Sequence, residues 1–288
     1  MGLLHNGARH GIAFGEGFLL ALRRDGTAWK EHPPQLARRE LPAGLLVASP
    51  VEPNLRPMSR AAQLVGEALE SLGCRGGRVA LVLPDLAIRA FVLRAEAVAS
   101  PDALLSELAT RLPYRPDDAR VDVWQGPSRR TLAAAVRRAV LEQYEQVLEA
   151  VGCRATWVDA ASLVLVPGWA RQARAAEAAK EARGLQVHVQ LYPGHYVLTV
   201  FQQGALADLR VKLRGSGEVK RVTDDLLRLP SHYDGTMEYD EITIQGDGAR
   251  SVGETLPAGG FPPENVRLGE DGEESHLRNV TTVLMRRR

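Results

Sequence analysis

"VHVQLYPGHYVLTVFQQGALADL", residues 187–209, decides how this chain is read. Apolar and polar residues alternate up to Leu191, Pro193-Gly194 breaks the run, and a second β-rich run, "YVLTVF", ends at "QQG". Period-2 patterning, β-branched and aromatic enrichment and glycine turns predict a hairpin that continues into a third strand. "AFGEGFLLALRRDGTAW" (13–29) repeats the rhythm of strand, glycine turn, strand, glycine turn, strand. Aligning Gly26 with Gly204 gives an offset of 204 − 26 = 178, at which Phe18 faces Tyr196, Leu20 faces Leu198 and Leu22 faces Val200. Two such meanders predict an internally duplicated fold, each half opening with three strands and placing these matched residues at equivalent sites.

A chain of 288 residues is long enough for one large or two moderate domains with a proper core. Net charge is +1, from 36 basic and 35 acidic residues, so nothing at the level of the whole chain points to a polyanionic partner. Arg129-Arg130, Arg137-Arg138 and Arg286-Arg287-Arg288 read as solvated faces and a frayed tail. Cys74 and Cys153 lack CxxC or CxxH spacing, which argues against a disulfide framework and a zinc site and suits a reducing compartment. Each follows a helix end, as a small buried apolar residue would. "MGLLHNGARHG" lacks the apolar centre of a signal peptide, and no stretch reaches the ~18 apolar residues of a membrane span.

Along the chain, the first meander is expected to end near Trp29, followed by a Pro-rich connection, "EHPPQLARRELPAGLLVASPVEPNLRP". Residues 59–72 read as an amphipathic helix with Ala62, Leu64, Val65, Ala68 and Leu72 on one face and Gly73 as its C-cap. "RVALVLP" is apolar enough for a strand buried on both faces, and "AIRAFVLRA" for an edge strand interrupted by Arg89 and Arg94. Ser100 with Pro101 opens the helix "SPDALLSELATRL". "ARVDVW", then "TLAAAVRR", the helix "VLEQYEQVLEAVG", the strand "ATWVD" and an Ala-rich helix near 160–183 lead to the second meander. This order is an α/β plan with a mixed sheet and a small insertion.

"LPAGLLVASPVEPN", "RVALVLPDLAIRAFVLR", "DALLSELATRLPYRPDDARVDVW", "YEQVLEAVGCRATWVDAASLVLV" and "EITIQGDGA" occur in the order found in the type IV pilus assembly protein PilM. The chain resembles that family over roughly residues 10–255, and its cousin, the cytoplasmic part of the type II secretion protein GspL. The resemblance implies an actin-like fold (ASKHA, a duplicated RNase H-like plan) with a reduced second lobe. It places the first lobe at 1–165, with an insertion at about 86–126, and the second, shortened lobe at 166–288.

Actin-like ATPases carry an acidic residue in each meander to organise Mg²⁺ and the attacking water. Here the first turn, "FGEG", keeps Gly15 and Gly17 but offers only Glu16 as an acid, and the second, "VQLYPGHY", offers none. Pro193 removes an N–H from the phosphate cradle and Tyr192 adds bulk. "ITIQGDGA" resembles the adenosine-side glycine loop, though Gly246 and Gly248 serve a strand-to-helix turn equally well. If that turn does bind nucleotide, Gly246→Val should remove the affinity and leave the fold intact. Between Gly215 and Asp240 there is room for about one helix, "GEVKRVTDDLLRLPSHY", where the family's nucleotide-closing lobe is much longer. The nucleotide site therefore reads as degenerate, with no catalytic residue, no metal and no cofactor expected.

His195 reads as a surface turn histidine, since no nucleophile or orienting carboxylate can be assigned to it. Asp224-Asp225 are expected at a helix N-terminus, and Asp208 on a strand lacks the companions of a two-metal nuclease. The resemblance implies a cytoplasmic protein on the inner membrane's cytoplasmic face, capturing the N-terminal peptide of a PilN-like or GspM-like bitopic partner; a homodimer is left open. The peptide is expected between the first lobe and the insertion, on Arg89, Phe91, Leu108 and Tyr114, in a groove with apolar pockets and a basic or polar rim. The alternative is an actin-like ATPase or kinase using Glu16 and Gly246, which binding of ATP would reveal.

Overall fold

In a computed structural model, residues 8–24, 34–125, 130–179, 184–215, 218–233, 238–272, 274, 277–278 and 280–282 are described. The first lobe is built on β1 (His10–Gly15), β2 (Phe18–Arg23), β3 (Gln35–Glu40), α1 (Met58–Ser71) and β4 (Gly77–Leu83). An insertion follows: β5 (Ile88–Arg94), α2 (Pro101–Arg111), β6 (Ala119–Gln125) and β7 (Arg130–Arg137). The lobe closes with α3 (Arg138–Glu149) and β8 (Cys153–Ala160). After α4 (Val166–Ala178) comes the second lobe: β9 (Leu185–Leu191), β10 (His195–Gln202), β11 (Ala205–Leu213), α5 (Glu218–Arg228), β12 (Tyr239–Gly246), α6 (Ala249–Thr255) and β13 (Val266–Asp271).

The sheets run β3-β2-β1-β4-β8 and β11-β10-β9-β12-β13. In each, the first three strands pair antiparallel and the last two join in parallel. The duplication is therefore present in topology, strand for strand. The equivalence differs by one residue from the expected one. Gly15 pairs with Phe18 around Glu16-Gly17, and Tyr192 with His195 around Pro193-Gly194, which sets the offset at 177 (193 − 16).

Faces confirm it. Phe14, paired with Leu19, meets the Tyr144 ring of α3 at 5.2 Å, while Leu191, paired with Tyr196, packs with Val222 of α5 and Val252 of α6. Leu19, not Phe18, is thus the counterpart of Tyr196. A one-residue slip carries every side chain to the opposite face. The anchor was at fault: Gly26 lies outside the described residues, and the third strand is Gln35–Glu40, drawn from the stretch expected as a Pro-rich connection.

The insertion is larger than expected, Ile88–Arg137 instead of 86–126, because "TLAAAVRR" supplies β7, the central strand of its antiparallel sheet β5-β7-β6. α2 begins as expected, with Ser100 Oγ accepting from Ala103 N at 3.1 Å and Pro101 in the first turn. Between β11 and β12 stands one helix, α5, and a short 3-10 turn at Leu229–His232. The chain does not stay in the second lobe: Leu277 and Val280 are buried in the first lobe's core, and Glu274 meets Arg38 of β3 at 3.1 Å.

One core spans both lobes, and the second lobe has a further core of its own on the other face of its sheet. Val166, Trp169 and Ala173 of α4 pack with Val197, Phe201 and Leu209 of the second sheet and with the whole interior of the first lobe. His188 of β9 lies in this seam, its ring flat against Trp169 at 4.3 Å and edge-on to Phe201 at 5.8 Å, with Nδ1 unpartnered. Burial lowers its pKa from 6.5 to about 4. An unfolded histidine takes up its proton near pH 6.5 and the folded one only near pH 4, so in that window the unfolded state binds more protons and stability falls as pH falls. His188→Phe, which keeps the stack, is expected to flatten that slope by up to about 1.4 kcal/mol per pH unit, read from urea midpoints at about pH 7 and about pH 4.5.

Candidate functional site

Two concave sites bear on function. The first is the cleft where the two hairpin turns face each other, about 340 Å³ and lined by Phe14, Leu46, Val47, Asp85, His195 and Leu277 among others. A β-carbon on Gly194 would stand 3.0 Å from the Glu16 carboxylate, so the turns come close across the cleft. Arg214, its side chain 4% exposed, donates to the carbonyl of Tyr192 and to Asp247 O and Oδ2 at 3.1 and 3.3 Å. Burial lowers its pKa, and the charges of Asp247 and Glu16 oppose that shift.

Asp85, just past β4, is fully buried and accepts from Ser162 N at 2.8 Å and Ser162 Oγ at 2.6 Å. Its other oxygen lies 3.5 Å from His195 Nε2 of the second lobe. His195 is thus buried, not the surface turn residue expected, and stacks on Tyr192 at 4.4 Å. The cleft presents two carboxylates, a stacked aromatic pair and apolar walls, with the Arg214 guanidinium beside them.

Of the residues expected at a degenerate nucleotide site, Gly15 and Glu16 line this cleft and Gly17 turns beside them. Gly246 and Gly248 serve the backbone. Gly246 has φ +101°, and a β-carbon there would fall 2.1 Å from Leu191 O; Gly248, at φ +76°, precedes α6. The acids weighed as metal ligands are engaged elsewhere. Asp208 pairs with Arg210 at 2.5 Å. Asp225 sits within the later turns of α5, not at its N-terminus, held by Lys212 at 2.6 Å and by the Tyr196 hydroxyl. Among the described residues no group of three or more His, Cys, Asp or Glu could hold a metal ion, and no helix is long and apolar enough to cross a membrane. Cys74 and Cys153 are buried at the corner between α1 and β8, their sulfurs 3.9 Å apart.

The residues expected to hold a peptide gather on the insertion's own small core. Leu108 is fully buried with Leu112, Ala119 and Ala135, and Phe91 and Tyr114 pack against them. The Arg111 guanidinium lies over the Phe91 ring at 5.7 Å. The Tyr114 hydroxyl is buried without a partner, its pKa pushed up to about 12 by burial against the pull of Arg89 and Arg137. These side chains hold α2 onto the sheet.

A groove between first lobe and insertion does exist, on the opposite edge. It encloses about 420 Å³ between β6, β7 and β8, with Val121, Leu141, Trp157 and Val158 in its lining. β6 ends the insertion sheet and β8 ends the first sheet, so each offers an edge without a paired strand among the described residues. Thr156, at a register shift in β8, lines the groove with its Oγ1 buried and unpartnered. In the sequence "ATWVD" signals only a strand; that it is an edge strand follows from the sheet order.

No family model and no curated protein matches the sequence. Solved structures share the fold. A PilM-PilN type IV pilus biogenesis complex is similar with a TM-score of 0.68 at 15% identity, over 96% of this chain and 95% of that one. A protein of Bacteroides thetaiotaomicron with an actin-like ATPase fold and unknown function gives 0.63 at 10% identity, covering 100% of both. The cytoplasmic domain of EpsL, an inner-membrane component of the type II secretion system of Vibrio cholerae, gives 0.54 at 9% identity, over 97% and 95%. The fold is actin-like.

The Gly246 geometry makes that residue structural. Gly246→Val, expected from sequence to spare the fold, is instead expected to cost about 3 kcal/mol or more, from a strained φ and a backbone clash, measured by urea denaturation.

Proposed function

We propose that this actin-like chain is a cytoplasmic scaffold of a type IV pilus or type II secretion inner-membrane assembly platform. In this role it binds the cytoplasmic N-terminal peptide of a PilN-like or GspM-like bitopic partner and hydrolyses no ATP. The observation that carries the proposal is the groove between β6 and β8, a slot lined by apolar and polar side chains alike and flanked by two strand edges unpaired among the described residues. An extended peptide of five or six residues spans about 17–20 Å, the length of one such strand, and can add main-chain hydrogen bonds to an open edge while its side chains enter apolar pockets. The likeness to a PilM-PilN complex supports the choice of machine and partner.

The cleft supports the absence of hydrolysis. Glu16 is the one acid at the two hairpin turns, where an actin-like ATPase carries one in each meander, and Asp85 is committed to Ser162 and His195. Millimolar ATP with Mg²⁺ is expected to leave the melting temperature unchanged. A ligand at about 100 times its Kd stabilises by about 2.7 kcal/mol, so a rise of several degrees would restore the ATPase reading.

Val158 is 36% exposed on the open edge of β8, so its replacement disturbs the groove more than the core. Val158→Asp is expected to weaken binding of the partner's N-terminal peptide about tenfold or more while shifting the melting temperature by only a degree or two. Unchanged binding would place the peptide elsewhere.

A further inference from the structure

The sequence suggested a basic or polar rim for a peptide groove. The rim observed is acidic: Asp122 of β6, Glu145 of α3 and Asp159 of β8 line it, against the single cation Arg120. Asp122 has its Oδ1 on its neighbour's N–H, Val123 N, at 2.9 Å, and neither it nor Glu145 has an ion pair among the described residues. Three separate elements thus bring carboxylates to one apolar slot in a chain whose net charge is only +1.

We infer that the β6–β8 groove selects a peptide whose apolar segment is flanked by lysine or arginine; this rests on the groove being the peptide site proposed above. The apolar lining, Val121, Leu141, Trp157 and Val158, takes the apolar residues, and the carboxylates meet the cations at the slot's edge. A bitopic partner carries such a flank for its own reasons. Cytoplasmic segments close to a membrane helix are enriched in Lys and Arg, which sets their orientation. The groove reads as selective the same charge that topology imposes, so an acidic or neutral segment of equal hydrophobicity is rejected. Rim pairs of this exposure each change affinity by about twofold to fivefold, and salt screens them.

The test uses the full chain and a labelled synthetic peptide: an apolar segment of about five or six residues flanked by lysine and arginine. A second peptide has each Lys and Arg of that segment replaced by Glu. The basic peptide is expected to bind about tenfold or more tightly than the acidic one, and to weaken as NaCl rises from about 50 mM to about 500 mM. Asp122→Lys combined with Glu145→Lys should reverse the preference, with the melting temperature confirming a folded variant. The salt series on the unaltered chain decides the matter if that variant unfolds. Equal binding of both peptides, still abolished by Val158→Asp, overturns the charge selection and leaves the groove as the peptide site. Binding of neither peptide overturns both.

Discussion

The buried carboxylate of Asp85 ties the two halves of this molecule together. It sits at the end of β4, takes both hydrogen-bonding groups of Ser162, and reaches His195 at the start of β10. A fully buried carboxylate without these partners would be strongly unfavourable, so loop, turn and lobe closure are mutually dependent. Beside it, Arg214 joins the second hairpin turn to the loop after β12. In an actin-like fold these turns would converge on phosphates. Here the groups beside them also bond to one another, Asp85 to Ser162 and His195, and Arg214 to Tyr192 and Asp247.

The fold was legible because the two meanders announce themselves by period-2 patterning and glycine turns, and the sheet orders follow that plan. The error of one residue in matching them has a physical source. β1, β2, β9 and β10 are buried on both faces, and only β9 alternates; β1, β2 and β10 are apolar at most positions, so they offer no face pattern to match against it. Only the turns fix register, and the second glycine pair chosen as anchor belonged to connections of different length. β3 escaped notice for the converse reason: "QLARRE" is an edge strand with mostly solvated side chains, and its composition reads as loop.

The candidate sites were legible to different degrees. The residue types at the two hairpin turns could be read directly, and the structure brings those turns together at one cleft. The β6–β8 groove could not, since it is made where two sheet edges meet, and which strand is an edge is a property of topology. Phe91 and Tyr114, expected as anchors on a strand and a Pro-flanked loop, are partly buried and pack against the small core that α2 closes. His195 misled in the same way: a residue beside a Pro-Gly turn is normally solvated, and here a second lobe closes on it.

The two sites divide the molecule's chemistry. At the inter-lobe cleft, carboxylates are matched with Ser162, His195 and Arg214, so their charge is spent on closure. At the β6–β8 groove, Asp122 and Glu145 are left facing solvent beside an apolar slot. Matched charge in a buried seam rigidifies, whereas unmatched charge at a rim governs encounter and partner choice. The inter-lobe cleft of this actin-like frame is walled by side chains that hold one another, Asp85 with Ser162 and His195, and Arg214 with Asp247. The insertion shares the first lobe's core through Ile88, Leu132 and Val136, and the groove between them has its shape in this chain alone. Such preorganisation lowers the ordering cost on the protein's side and leaves only the peptide to be ordered on binding.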